Sequence, residues 1–201
     1  MAAPTNVLRL LLPVVVLALW GSPLSAQSQE TAPAVEIRSV KFSTLRPAGA
    51  GQAWLEATVE LAIRGSDDGG AYARFVDRPQ ITLALAIRKR DDGYEFLRAS
   101  TELVSLEAGR AAVRFYIPPE ILEREQINTD PYAYAVDVAV RGRAVAAAVA
   151  SVLRSPEALQ SFRDRVAQGA PANDGILVPQ HESPFATEYA GDTPTPVRRP
   201  R

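Results

Sequence analysis

The sequence predicts an all-β fold: an immunoglobulin-like sandwich of about seven strands, followed by a C-terminal helix and a disordered tail. Three observations predict it. Short runs between residues 35 and 153 alternate apolar and polar side chains, the two-residue period of half-buried strands. Gly, Asp and Pro turns separate these runs at intervals of roughly 8–12 residues, the spacing of a sandwich. Beyond residue 155 the apolar period lengthens to three and four, then vanishes. A closed barrel is the alternative architecture. There is no cysteine. Core packing alone must therefore hold the fold, which a domain of about 120 residues can do.

Residues 1–26 read as a signal peptide. Arg9 precedes an apolar run over residues 10–20, Gly21-Ser22-Pro23 breaks it, and Ser25-Ala26 places a cut between Ala26 and Gln27. Leu24 is large for its position, which leaves a cut after Ser28 open. The apolar run falls short of the ~20 residues a spanning helix needs, so no membrane span is expected after its removal. The mature chain is expected in the periplasm or secreted.

Residues 27–34 form a polar, flexible leader. The sandwich domain spans residues 35–153. Val35 and Ile37, then Val40 and Phe42, alternate but change phase, which predicts a bulge near Ser39. Leu55, Ala57, Val59, Leu61 and Ile63 alternate against Glu56, Thr58 and Glu60. A Gly- and Asp-rich loop over residues 64–73 precedes a third strand from Phe75 to Ile87, where Pro79 confines the early part to an edge or bulge. Asp91-Asp92-Gly93 signals a hairpin, and residues 94–106 return. Val113, Phe115 and Ile117 face inward until Pro118-Pro119 stops the strand. Residues 120–126 suit a short helix. Tyr132, Tyr134, Val136, Val138 and Val140 alternate again, Arg141-Gly142-Arg143 turns the chain, and residues 144–152 return. The alanine content of that last run leaves helix open. Leu61, Leu83, Phe115 and Val136 are predicted to share one core.

An amphipathic helix is expected over residues 155–169. Ser155-Pro156-Glu157 supplies a capping hydroxyl, a first-turn proline and a first-turn acid. Leu159, Phe162 and Val166 form one apolar stripe, and Gly169 is placed to end it. Residues 170–201 carry six prolines and no period, which predicts a disordered tail dispensable for folding.

The chemistry the sequence offers is sparse. Its net charge is −1, and loss of Arg9 with the signal peptide leaves −2, without the basic surplus of a nucleic-acid protein. Absent cysteine and a single histidine, His181, argue against thiolate or zinc sites, so no metal, no cofactor and no catalytic residues are expected. Asp67-Asp68 and Asp91-Asp92 sit in turns, where solvated acids are ordinary. Glu123 would need a second acid across a cleft to serve a carboxylate-dependent glycan hydrolase. Tyr116 alternates against Phe115 and so points to the outer face. Phe185 and Tyr189, four apart among polar residues, suit a short motif that folds on a partner. Tyr116, Phe185 and Tyr189 are the candidate partner-binding residues.

The segments Phe115-Tyr116-Ile117-Pro118-Pro119-Glu120-Ile121, Trp54-Leu55-Glu56, Phe75-Val76-Asp77 and the strand from Tyr132 to Val140 carry a resemblance. Over residues 35–150 the chain resembles small exported immunoglobulin-like proteins encoded beside type IV pilus components in some Gram-negative bacteria. The resemblance implies a periplasmic or surface location and a link to envelope assemblies. With it, the reading is a non-enzymatic binding or structural module of the cell envelope that has an envelope protein as partner. A soluble periplasmic ligand or sugar carrier is the alternative, for which an aromatic-lined pocket would be the sign. The hydrolase is a further one.

Overall fold

The alternating strands stack into two four-stranded antiparallel sheets. The structure is a computed structural model that describes residues 34–47, 51–65, 73–127, 130–189 and 191–197. The signal peptide, the cut between Ala26 and Gln27 and most of the leader lie outside the described residues. In chain order the strands are β1 (Val35–Leu45), β2 (Trp54–Ile63), β3 (Phe75–Asp77), β4 (Pro79–Arg88), β5 (Tyr94–Glu102), β6 (Ser105–Glu107) and β7 (Gly109–Ile117). Helix α1 (Pro119–Glu125), β8 (Ala133–Val140), β9 (Arg143–Val149), helix α2 (Pro156–Gly169) and β10 (Val178–Pro179) follow.

One sheet has the order β1-β2-β7-β10 and the other β5-β4-β8-β9. With β1, β2 and β7 as strands A, B and E, and β5, β4, β8 and β9 as C′, C, F and G, this is an immunoglobulin-like sandwich. The barrel is excluded because β1 runs beside β9 yet belongs to the other sheet. β10 sits where strand D lies in the constant-type fold.

Local chemistry explains the turns. The phase change in β1 is a register shift between Ile37 and Ser39. The third predicted strand breaks at Arg78, which adopts φ 51°. β3 pairs with β6 in a separate two-stranded ladder, and Pro79 opens β4, a position where its missing N–H costs little. Arg141 and Gly142 both have positive φ, the backbone of a tight two-residue hairpin, and residues 143–149 continue as strand rather than helix.

The inner faces meet in a core that includes Leu61, Leu83, Phe115 and Val136. α1 closes one end of the sandwich and sends Leu122 into that core. Its Arg124 bonds Glu95 of β5 at 2.9 Å and neighbouring Glu125 at 2.5 Å. The outer face of the second sheet is unusual for a strand surface. Ala84 pairs with Ala135, and Ala86 with Ala133, so four small side chains make a flat floor. Phe162 and Val166 of α2 bury against that floor. Ser155 caps α2 through Ala158 N at 3.1 Å. Gly169 does not end α2 in a left-handed turn; its φ is −93° and the chain tightens into a 3-10 turn, Ala170–Asn173. The missing side chain matters for packing, because a Cβ there would meet Phe96 at 3.3 Å.

The disordered-tail expectation is corrected for the described part of residues 170–197. Leu177 is buried in the main core, and Val178–Pro179 pair with Tyr116 and Phe115 of β7. Phe185 is fully buried. Leu103 and Pro196 form a bridge, and Val197 N donates to Glu102 O at 2.7 Å. The segment escaped periodic reading because single anchors, separated by proline turns, hold it. It crosses the open seam between β7 and β5 and bridges both sheets.

Dispensability of the tail is therefore not expected. A chain ended at Gly169 loses the buried apolar side chains of Leu177 and Phe185, each worth about 1.5–3 kcal/mol. Chemical denaturation should show a loss above about 3 kcal/mol or no cooperative transition. Stability equal to that of the longer chain would refute the packing described.

Candidate functional site

Two surfaces collect chemistry. The first lies on the outer face of β2 and β7, where Trp54, Glu56, Thr58, Arg114 and Tyr116 project away from the core. Antiparallel register sets Glu56 opposite Tyr116 and Thr58 opposite Arg114. The Tyr116 hydroxyl donates to Glu56 Oε2 at 2.8 Å, and Thr58 Oγ1 donates to Oε1 at 2.8 Å. Glu56, Arg114 and Tyr116 are all buried although they leave the core side. What buries them is the chain's own strap, whose described residues are 183–189 and 191–193.

The structure brings the three predicted partner-binding residues together, against one another. Phe185 stacks on Tyr116 with centroids 4.4 Å apart and meets Trp54 edge-on at 5.8 Å. The Arg114 guanidinium lies 4.1 Å from the Tyr189 ring centroid. It also donates to Thr193 Oγ1 at 3.0 Å and Asp192 Oδ2 at 3.2 Å. Tyr116 does point outward, as its alternation predicts, but it is not exposed. Phe185 does dock on a surface, and in this arrangement the surface is its own sheet. Tyr189 keeps 39% of its surface.

Gln180, buried beneath the strap, fixes its shape. Its Nε2 donates to Phe185 O at 3.1 Å and Glu188 O at 2.7 Å, while its Oε1 accepts from Thr193 Oγ1 at 3.2 Å. Every buried side-chain polar atom among the described residues has a partner. His181 sits in the 3-10 turn Gln180–Glu182, partly buried.

The second surface was missed by sequence reasoning. Tyr94 and Tyr132 stand at the start of β5 and just before β8, with ring centroids 4.7 Å apart. Among the described residues five large hydrophobic side chains are exposed, and three of them, Tyr94, Tyr132 and Val152, meet here. They rim a cleft of about 220 Å³ with Phe96, Phe162 and Arg165. Tyr132 and Val152 also border a more open depression of about 600 Å³ that includes Asp130 and Arg154. An exposed aromatic cluster is more informative than scattered apolar residues, because water would ordinarily select against it. The alternation assigned Tyr132 to the inward phase of its strand, but β8 begins at Ala133, and Tyr132, one residue outside it, stays exposed.

No group of three or more metal-ligating side chains occurs among the described residues. Nor does any helix among them have the length and apolarity to cross a membrane.

No protein-family model matches this chain. No curated protein matches it. A solved structure from Akkermansia muciniphila superposes with a TM-score of 0.64 over 82% of this chain and 93% of that one, at 13% identity. At that identity the likeness is one of fold. Fold and surfaces together define an all-β sandwich protein of immunoglobulin-like type, with one outer face under a helix and the other under a strap.

The strapped cluster makes a pH prediction. Burial first, then the hydrogen bond and charge of Glu56, push the Tyr116 hydroxyl far above its ordinary value. The folded chain thus keeps a proton that the unfolded chain releases near pH 10. Stability is complete below that pH and falls as pH rises beyond it. Denaturation between pH 8 and 11 should show this decline, and Tyr116→Phe should flatten it. An unchanged slope would refute the assignment.

Proposed function

We propose that this protein is a non-enzymatic binding and structural module of the bacterial cell envelope, exported and working beside type IV pilus components. The observation that carries the reading is the Tyr94–Tyr132–Val152 ridge. Aromatic residues at the centre of an exposed apolar cluster are the usual anchors of protein docking. The resemblance to exported immunoglobulin-like proteins encoded beside pilus components supplies the location and the assembly.

Size favours protein docking over the carrier reading. Ligand sites usually enclose about 300–1,000 Å³ and bury most of the ligand. The aromatic cleft is smaller, at about 220 Å³, and suits one inserted side chain, while the adjoining depression of about 600 Å³ is too open to bury most of a small ligand. The hydrolase reading finds little support. Glu95 and Glu125 do converge, but Arg124 lies between them and both are buried. Glu123 is bonded to Gln52 at 2.9 Å.

A photo-reactive residue in place of Tyr132 should give an adduct with one envelope protein in native cells. One at exposed Glu107 should not. The adduct should vanish in a strain lacking the pilus components, and Tyr94→Ala with Tyr132→Ala should lower partner binding at least tenfold while stability shifts by under about 1 kcal/mol. N-terminal sequencing of native protein should begin at Gln27. An adduct indifferent to both tyrosines, or native protein that keeps Met1, would overturn the reading.

A further inference from the structure

The two outer faces of the sandwich are covered in different ways. Beneath α2 the floor is alanine, a surface suited only to close packing. Beneath the strap the floor is Glu56, Arg114 and Tyr116, flanked by Trp54. A tail that merely had to shield a sheet would meet apolar residues there, since buried charges are costly to desolvate. The strap instead satisfies the groove feature by feature. Phe185 supplies a ring to Tyr116 and Trp54, and Asp192 supplies a carboxylate to Arg114. The Arg114 side chain is 8% exposed and that of Asp192 62%, so the cation belongs to the groove and the acid arrives from outside.

We propose that this groove is a docking site for an extended, acidic, aromatic-bearing segment of a partner envelope protein, and that residues 183–193 are its resident stand-in. The proposal rests on the reading of the protein as an envelope binding module. It places a second surface on the sheet opposite the tyrosine ridge.

Two further observations fit an exchangeable occupant. The strap leaves β7 lightly used: β10 pairs with two of its nine residues, and Ala112 N reaches Asp192 O at a long 3.4 Å. An extended segment could add a longer ladder along the same edge. Next to Asp192 lies an unfilled cleft of about 360 Å³ bordered by Arg38, Glu60 and Arg110. Arg110 makes no ion pair among the described residues. Beyond Asp192 the strap turns away to pair with Glu102 and Val104, so it offers Arg110 no carboxylate, and the Arg110 charge acts on Glu60 in the same cleft. A partner segment with a further acid reaches it and gains a contact the strap lacks.

The test uses the full mature chain and two labelled peptides. One is the sequence of residues 183–193; the other carries two added C-terminal glutamates. The wild-type chain should bind the first at least 100-fold more weakly than Phe185→Ala/Asp192→Ala, because a tethered strap competes at millimolar effective concentration. In the opened chain, Arg114→Ala should cost at least tenfold for both peptides. The extended peptide should bind about tenfold tighter, and Arg110→Ala should erase that gain. A folded, opened chain that binds neither peptide, or binds them regardless of Arg114, overturns the proposal; equal affinity for the two overturns the acidic partner. If the double variant does not fold, a protease site inserted after exposed Glu182 replaces it, which leaves Leu177 and Val178–Pro179 seated. The cut chain must then exchange its strap for the extended peptide, and failure to do so refutes the site. None of these readouts involves Tyr94 or Tyr132, so they fail or succeed independently of the ridge.

Discussion

Strands β2 and β7 have almost no solvent face along their shared half, and the rest of the molecule is arranged around that constraint. Their inward residues, such as Leu55, Ala57, Phe115 and Ile117, meet the opposite sheet. Their outward residues, Glu56, Arg114 and Tyr116, are nearly as inaccessible. A strand buried on both sides needs two covers, and polar groups under the outer cover must find partners inside it. Glu56 takes its bonds from Thr58 and Tyr116, and Arg114 takes its own from the strap. The strap is thus as much a part of the fold's polar balance as of its apolar one.

The second sheet solves the same problem with different chemistry. Over one half of their length β4 and β8 are also buried on both faces, but the outward residues there are Ala84, Ala86, Ala133 and Ala135, and a helix lies on them. Small side chains let α2 approach closely, so Phe162 fills the space between helix and sheet. Outer cover on both sides gives four layers: helix, sheet, sheet, strap. This extra burial lets a domain of this size do without a disulfide, because it enlarges the apolar area removed from water.

Regular elements were legible in the sequence because each repeats a signal. β2 and β8 alternate for five steps, the bulge in β1 shows as a lost phase, and Ser155-Pro156 marks the start of α2. The alanines were harder to read. Alanine is a poor strand former, so residues 144–152 left helix open, whereas in β4 and β8 the same residue type records contact with α2. The strap left no periodic trace at all. Leu177, Phe185 and Asp192 each make one kind of contact, and prolines set the path between them. The legible clue was complementarity: an outward aromatic and an arginine on β7, and an aromatic pair followed by an acid in the tail. Reading the tail alone singled out Phe185 and Tyr189; where they pack within the chain required the register of β2 against β7.

The tail also divides into parts with separate duties. Leu177 belongs to the main core, together with the inward residues of both sheets. Phe185 does not; it rests on the outer face against Tyr116 and Trp54. Between them Val178–Pro179 tie the chain to β7, and buried Gln180 follows. The core plug can therefore stay seated while the segment beyond Gln180 lifts, since the two bury into different sides of the same sheet. Releasing the outer part returns the rings of Phe185, Tyr116 and Trp54 to water, so the open state is sparsely populated without a substitute. A segment that brings both a ring and a carboxylate removes that penalty, whereas an apolar segment leaves Arg114 unpaired. The same charge that makes the closed strap specific thereby sets the chemistry of whatever replaces it.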